Sequence, residues 1–494
     1  MSISFLQIPL GGKVPGAFVE FDTSRAQQGT SIKPYNALVI GQRLTAGTKA
    51  EKQIDKVTSE AQAENYYGRG SMLYHMIKAF IKENQNLNEL NAISLNDDGG
   101  STKSAGSLEI LTPPTADGSL AVMIGGRNYT IAVVDADTEE DIVDNLVAEI
   151  NADDYRHVDV AKDGVNADLM NIVARHGGVV GDDLDIRVNY FDGEVLPAGV
   201  TVSITAMGAV TAGATNPAIT DVITAMGEKQ YDIIVMPYSD AANLLLMKTE
   251  LDDRWGPIRQ NDGHLIFCRK EAFAAHSTFL DGRNSEQESV LDIAGPTPQF
   301  EWAANLGAVI AANAQIDPAR PFQTLPLTQV LAPADSELFD YGERDQILKA
   351  GGSSYNVDAA GTVRVERIRT TRIENELAAP DEALADLNSK LTLSYIRYDF
   401  RVLMLTKYPR HKLADDGTRF GPGQAVITPL IGRAEAVARF ELWAEQGLVE
   451  GLDQFKRDLI VERSSSDVNR LDFLLPPDLI NQLRVVGAQI GFLL

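Results

Sequence analysis

Residues 37–41 (ALVIG), 231–236 (YDIIVM) and 264–268 (HLIFC) are short continuous apolar runs, the pattern of strands covered on both faces. Between and after them the apolar period lengthens. Residues 59–82 carry a helical pattern ending in MLYHMIKAFIKE, with Leu73, Ile77, Ala79 and Ile81 partly on one face, and residues 90–95 (LNAISL) return to a strand. Ser239 and Asp240 offer N-caps to the helix AANLLLMKTEL. The stretch PQFEWAANLGAVIAANAQ is a helix ending before Pro318, its small residues suited to close packing on a sheet. Strand, helix, strand at these spacings predicts a mainly parallel sheet covered by helices, an α/β core.

A different texture interrupts this core. Gly99, Gly100, Ser101, Gly106, Pro113 and Pro114 mark a boundary, after which come the strand SLEIL and LAVMIGGRNYTIAVV, a hairpin turned by Gly125 and Gly126. Thr138 opens a capped helix, TEEDIVDNLVAEINA, with Glu139, Glu140 and Asp141 in its first turn. LDIRVNY and VTVSITA are further strands, and the linker GAVTAGATNP leads back to the core. Residues 350–373 read as a hairpin between glycine turns, followed by the helix TLSYIRYDFRVLMLTKY, the loop HKLADDGTRFGPGQ, a helix around AEAVARFELWAEQG and the strand LIVERS.

Both ends of the chain are apolar and extended. Pro9, Gly11, Gly12, Pro15 and Gly16 exclude a helix in the first 22 residues, where Ile3, Phe5, Phe18, Val19 and Phe21 sit in β-like runs. The last ten residues carry Val485, Val486, Ile490, Phe492 and Leu493 with no polar tail. Such ends either tuck into their own domain or add a strand to a sheet edge of another chain. The expected division is an N-terminal arm (1–30), the first part of the α/β core (31–99), an inserted β-rich α+β domain (100–215), the rest of the core (216–350), an α+β C-terminal domain (351–480) and a C-terminal arm (481–494).

The composition of the 494-residue chain, 44% hydrophobic, is that of a globular protein. No apolar run approaches 18 residues, and the start lacks the pattern of a secretory signal, so folding in a cytoplasm is expected. A formal charge of −25 argues against nucleic acid or an anionic membrane as the main partner. Residues 100–215 hold 6 Lys plus Arg against 19 Asp plus Glu, so this segment is expected to face water. Residues 301–494 are mixed, 21 basic against 27 acidic, with Arg364, Arg367, Arg369, Arg372, Arg397 and Arg401 grouped as possible interface charges. Cys268 is the one cysteine, which excludes internal disulfides and cysteine-based zinc sites and suits a packing role.

No catalytic constellation emerges. There is no GxSxG, and Ser353 and Ser354 sit in a glycine turn. The six histidines form no HExxH or other pair at metal spacing, and His75 and His264 read as satisfied structural residues. Gly68 and Gly70 lack the rest of a phosphate loop. DADTEED resembles a calcium loop in composition only and reads as an acidic helix start; Asp415, Asp416 and Gly417 read as a turn. No metal, cofactor or enzymatic activity is expected.

The opening ISFxxIPxxxxVPGxFVEFD, the stretches RWGP, RNS and DPARP, and above all KYPRHKLADDGTRFGPGQ and GLVEGLDQFKRDLIVERSSSDVNRLDFLLPPDLINQLRV resemble tail sheath proteins of Mu-like contractile phages, nearly end to end. The resemblance implies a subtilisin-like α/β core, in fold and not in catalysis, and a C-terminal sheath domain. It further implies a structural subunit that assembles as stacked hexameric rings into a helical sheath around a tail tube, then contracts to drive the tube through the host envelope for genome delivery. The implied partners are further copies of itself, the tube protein, and baseplate and tail terminator proteins, with no nucleic acid and no membrane insertion. The implied location is the virion tail, after assembly in the host cytoplasm. The arm strands, with Ile3, Phe5, Phe18, Val19, Phe21, Val485, Val486, Ile490 and Phe492, would join neighbouring subunits. Competing readings are the sheath of an R-type tailocin or secretion system, and a cytoplasmic hydrolase, which would be a discrete monomer.

Overall fold

The computed structural model describes residues 33–84, 89–421 and 423–493. The N-terminal arm expected from the sequence lies outside them. The chain enters through β1 (Asn36–Gln42), β2 (Ile54–Lys56), α1 (Glu60–Tyr67), α2 (Met72–Glu83) and β3 (Glu89–Leu95). Residues 96–217 then build β4 (Lys103–Thr112), β5 (Gly118–Ile124), β6 (Arg127–Val133), α3 (Glu139–Ala152), β7 (Val158–Lys162), β8 (Leu169–Gly177), β9 (Ile186–Val188) and β10 (Thr201–Thr205). The path returns through α4 (Thr220–Met226), β11 (Ile233–Val235), α5 (Ala241–Trp255), β12 (Leu265–Arg269), α6 (Phe273–Asp281), β13 (Glu288–Asp292) and α7 (Gln299–Ile316).

One six-stranded sheet, in the order β13-β12-β11-β1-β3-β2, draws strands from both sides of that excursion. Its pairings are parallel except for β2 against β3, as the alternation of apolar runs and helical stretches predicts. Helix α7 packs on it through a face so tight that a Cβ on Gly307 would lie 2.5 Å from a Val235 methyl. The small residues of this helix are there for that approach.

The 59–82 stretch, read as one helical pattern, is two helices. Gly68 and Gly70 both take positive φ (+90° and +70°), and Ser71 caps α2 through the backbone N–H of Tyr74. Gly70 is required for a second reason: a Cβ there would come within 2.9 Å of the backbone of Asp154 and Tyr155, which cross over the break.

Within residues 96–217, β10-β4-β8-β7 form one antiparallel sheet and β6-β5-β9 another. Helix α3 offers them Ile142, Val143, Leu146 and Ile150, all fully buried. Thr138 and Asp141 close a reciprocal capping box, so the DADTEED run is an acidic helix start. LDIRVNY gives only the short β9, while β7 and β8, not singled out in the sequence, carry half of the four-stranded sheet.

The remainder comprises α8 (Tyr341–Lys349), the hairpin β14 (Ser354–Val357) and β15 (Val363–Arg367), α9 (Leu387–Lys407), β16 (Lys412–Leu413), β17 (Val426–Ile427), α10 (Pro429–Glu445), β18 (Val449–Glu450), α11 (Leu452–Asp458), β19 (Ile460–Arg463), β20 (Leu471–Leu474) and β21 (Asp478–Leu479). Leu387 and Leu391 of α9 belong to the large core, whereas Ile396 belongs to a second, smaller one with Phe440, Trp443 and Phe455. Helix α9 is therefore the shaft between the two cores. Among the described residues, no strand follows β21, and the apolar run near the C-terminus pairs with none of them.

Candidate assembly surfaces

The joint between core and C-terminal region is built from charged residues that have been taken out of water. Lys390, on α9, donates to the Gly263 carbonyl (2.8 Å) and Gln287 Oε1 (2.7 Å) and lies 3.1 Å from His264 Nδ1. One turn or two further on, Arg397 donates to the Trp255 carbonyl and to Asp262 Oδ1, with its guanidinium 4.3 Å from the Trp255 ring centre. Arg283 clasps buried Glu288, and Asn284 accepts from the backbone of Ile373 and Glu374. The Asn388 amide donates to the carbonyls of Pro318 and Arg320. The RWGP, RNS and DPARP stretches are thus the core-side halves of this joint.

The six arginines grouped as possible interface charges all have partners within the chain. Arg364 meets Asp358 at 2.6 Å, Arg367 holds Asp386 with two bonds of 2.8 and 2.9 Å, and buried Arg369 reaches the Leu348 carbonyl and Glu382. Arg372 bridges Asp381 and Glu286, Arg397 pairs with Asp262, and Arg401 bonds to Gln260. Their placement holds the hairpin and α9 on the core.

Burial pulls the Lys390 amine down to about 7. Its unfolded value lies near 10.4, so between those limits the unfolded chain binds the proton and the folded chain does not. Stability contributed by this group therefore rises with pH from about 7 towards 10 and is absent below. Urea midpoints of the wild type are expected to climb across that window relative to Lys390→Met, measured side by side so that other groups cancel.

Sites for chemistry fare differently. His264 Nε2 lies 2.8 Å from Ser289 Oγ, yet both residues are buried and the other ring nitrogen faces Lys390 instead of a carboxylate, opposite to what a hydrolytic triad needs. Ser353 and Ser354 are also buried, and Cys268 is a free, buried thiol. The Asp415–Gly417 stretch is a turn, with Gly417 at φ +81° and Asp416 accepting from Leu430 N–H. In open α/β sheets, ligands occupy the crevice beyond the carboxyl ends of the strands. Here Gln42, at the end of β1, donates to Asp97 and to the Gly177 carbonyl, and Lys270, just past β12, pairs with Asp185, so residues 177–185 sit over that end of the sheet.

What the C-terminal region leaves open is backbone edge and apolar surface. Strands β19 and β20 form an antiparallel pair with no third strand among the described residues, as do β18 with β21. Isolated two-stranded units are marginal in water, and an open edge is a template for pairing. Ile460 and Leu474 on the first pair are exposed. Among the described residues, the last side chain tied back to its own chain is Arg484, which reaches Asp386 and Asn388. Beyond it Val485, Val486, Ile490 and Phe492 are 84, 76, 89 and 80% exposed. Fully covering each such side chain is worth about 1.5–3 kcal/mol, and the described residues supply no surface that does so. No helix of the described residues is long and apolar enough to cross a membrane.

An α/β domain, a second small core on a connecting helix, and uncovered strand edges describe a subunit made to join others. Two family models match: phage tail sheath protein central domain over residues 212–371 and phage tail sheath C-terminal domain over residues 379–492. The chain belongs to the phage tail sheath family. Within it, the chain is 37% identical over 495 residues to the Mu-like prophage FluMu tail sheath protein of Haemophilus influenzae, with 100% of each covered. Among solved structures, it is similar to the sheath tail protein of Listeria innocua at a TM-score of 0.51 and 11% identity, covering 92% of this chain and 93% of that one. The anti-feeding prophage helical sheath in its contracted state matches at a TM-score of 0.45 and 9% identity, over 97% of this chain and 99% of that one.

Proposed function

We propose that this chain polymerises as stacked hexameric rings around a tail tube and contracts to drive that tube through a host envelope. The observation that carries this reading is the apolar run after Arg484, uncovered by any described residue, together with a C-terminal hairpin that has no third strand among the described residues. A strand donated to a neighbour brings several backbone hydrogen bonds at once, so subunits can stay linked while other contacts change. The arms, residues 1–30 with Ile3, Phe5, Phe18, Val19 and Phe21 and the run Val485, Val486, Ile490 and Phe492, act as these links. Contraction needs no cofactor in this account, because an extended lattice trapped in a metastable state releases free energy as new interfaces form.

Residues 31–99 and 216–350 correspond to the subtilisin-like core, with 100–215 as an inserted domain facing outward. Its net acidity supports that orientation, and the mixed charge of the C-terminal region supports a place near the tube and neighbouring subunits. The six arginines contribute to moving interfaces only by exchanging their present partners. The tube, baseplate and tail terminator proteins are the further partners, and assembly takes place in the host cytoplasm. Limited proteolysis of assembled sheaths tests the orientation: cleavage is expected within 100–215 first, and protection of that segment with cleavage inside 360–480 would refute it.

A further inference from the structure

His75 on α2, His157 immediately before β7 and Glu301 on α7 converge although they are far apart in the sequence. Their potential ligand atoms all lie within 4.8 Å of one another. His157 Nε2 is 3.2 Å and His75 Nδ1 3.7 Å from the same Glu301 Oε1, and the two imidazoles are 4.2 Å apart centre to centre. Tetrahedral zinc, with ligands at about 2.0–2.1 Å, needs donor atoms roughly 3.3–3.5 Å apart. The trio is already close to that spacing.

One further observation favours a ligand over a merely packed cluster. Both histidines are buried, and the Nε2 atom of His75, the ring nitrogen other than the Nδ1 measured against Glu301, has no hydrogen-bond partner, so either nitrogen is free to serve as the single donor of that ring.

We propose that His75, His157 and Glu301 bind one divalent transition-metal ion, of which zinc fits best. Two imidazoles and a carboxylate are borderline donors that suit zinc and its neighbours over calcium or magnesium. The cleft beside the trio, lined by Lys78, Gly126, Arg127, Thr297 and Gln329, leaves room for water as a fourth ligand. Lys78, Lys82 and Arg127 line the same cleft and oppose a cation there, and of these Arg127 is paired with Asp153 at 2.6 Å. The ion would staple residues of the 100–215 segment to two core helices, across the junction where Tyr155 also stacks on Tyr74 and Arg69 pairs with Asp154.

The test is zinc titration of the chelator-treated full-length chain by calorimetry, with cobalt(II) absorption reporting coordination geometry. One zinc per chain and a tetrahedral cobalt spectrum are expected. Both should be weakened by more than the about 100-fold that loss of a supporting residue costs in His157→Asn and in Glu301→Gln, each checked for a wild-type fold by circular dichroism. The two substitutions lie on different elements, so a folding defect in one leaves the other decisive. No stoichiometric zinc binding by the wild type, or undiminished binding in a folded variant, overturns the proposal.

Discussion

A chain ending at Arg484 is expected to fold and melt like the full-length protein and to form no tubes. Arg484 is the last side chain tied to its own domain, through Asp386 and Asn388. Residues 485–493 touch neither core in a way that covers them, and their removal takes exposed apolar surface away from a folded subunit without opening a cavity. Stability by denaturant titration should stay within about 0.5 kcal/mol, as for surface changes remote from the core. Assembly, read by negative-stain microscopy and sedimentation, should be lost. Deleting residues 1–21 is expected to have the same outcome. A truncated chain that unfolds instead would show that the run belongs to its own domain.

The second large effect is expected at Asp399. This carboxylate is fully buried on α9, where both oxygens accept from the Arg439 guanidinium and Oδ2 also accepts from Trp443 Nε1 at 2.7 Å. It organises the polar centre of the small core, beside Phe440 stacked on Phe455 at 4.1 Å. Asp399→Ala strands a buried guanidinium and should cost about 3–5 kcal/mol. A core of this size has little to offset that loss, so the region after α9 should open while the six-stranded sheet stays intact. Limited proteolysis should then cut within residues 400–480 and leave the preceding fragment whole. Replacing the pair together, Asp399→Leu with Arg439→Met, should recover most of the loss, because apolar residues of similar volume often match a buried ion pair. If Asp399→Ala costs under about 1 kcal/mol, the pair is not what holds the C-terminal region together.

The parts of this fold that the sequence displays are those with one dominant force. Strands such as Asn36–Gln42 and Leu265–Arg269 are buried on both faces, so their apolar runs are continuous and readable. Glu288–Asp292, at the edge of the same sheet, is equally buried but begins and ends with acids. Only Arg283 and Thr371, which satisfy Glu288, make that strand possible. The break between the first two helices is set by a loop from the 100–215 segment crossing Gly70, an event invisible in the local period.

Charged residues were the hardest to place for the same reason. Arg397 looks like surface charge until Asp262, 135 positions away, is brought beneath it. His75 reads as a satisfied helix residue, and only the folded chain sets it beside His157 and Glu301 with a ring nitrogen unpartnered. The apolar character of the terminal run is legible in the sequence, and among the described residues Val485, Val486, Ile490 and Phe492 remain exposed in the folded chain.

The central claim is that neighbouring subunits are joined by exchanged strands. A reconstruction of tubes assembled from the full-length chain tests it most directly. Residues 485–493 of one subunit are expected to run as a strand along an open edge of the β19–β20 pair, or of the β18–β21 pair, in a neighbour. Tubes in which this run folds back onto its own subunit, with every hairpin edge unpaired, would contradict it.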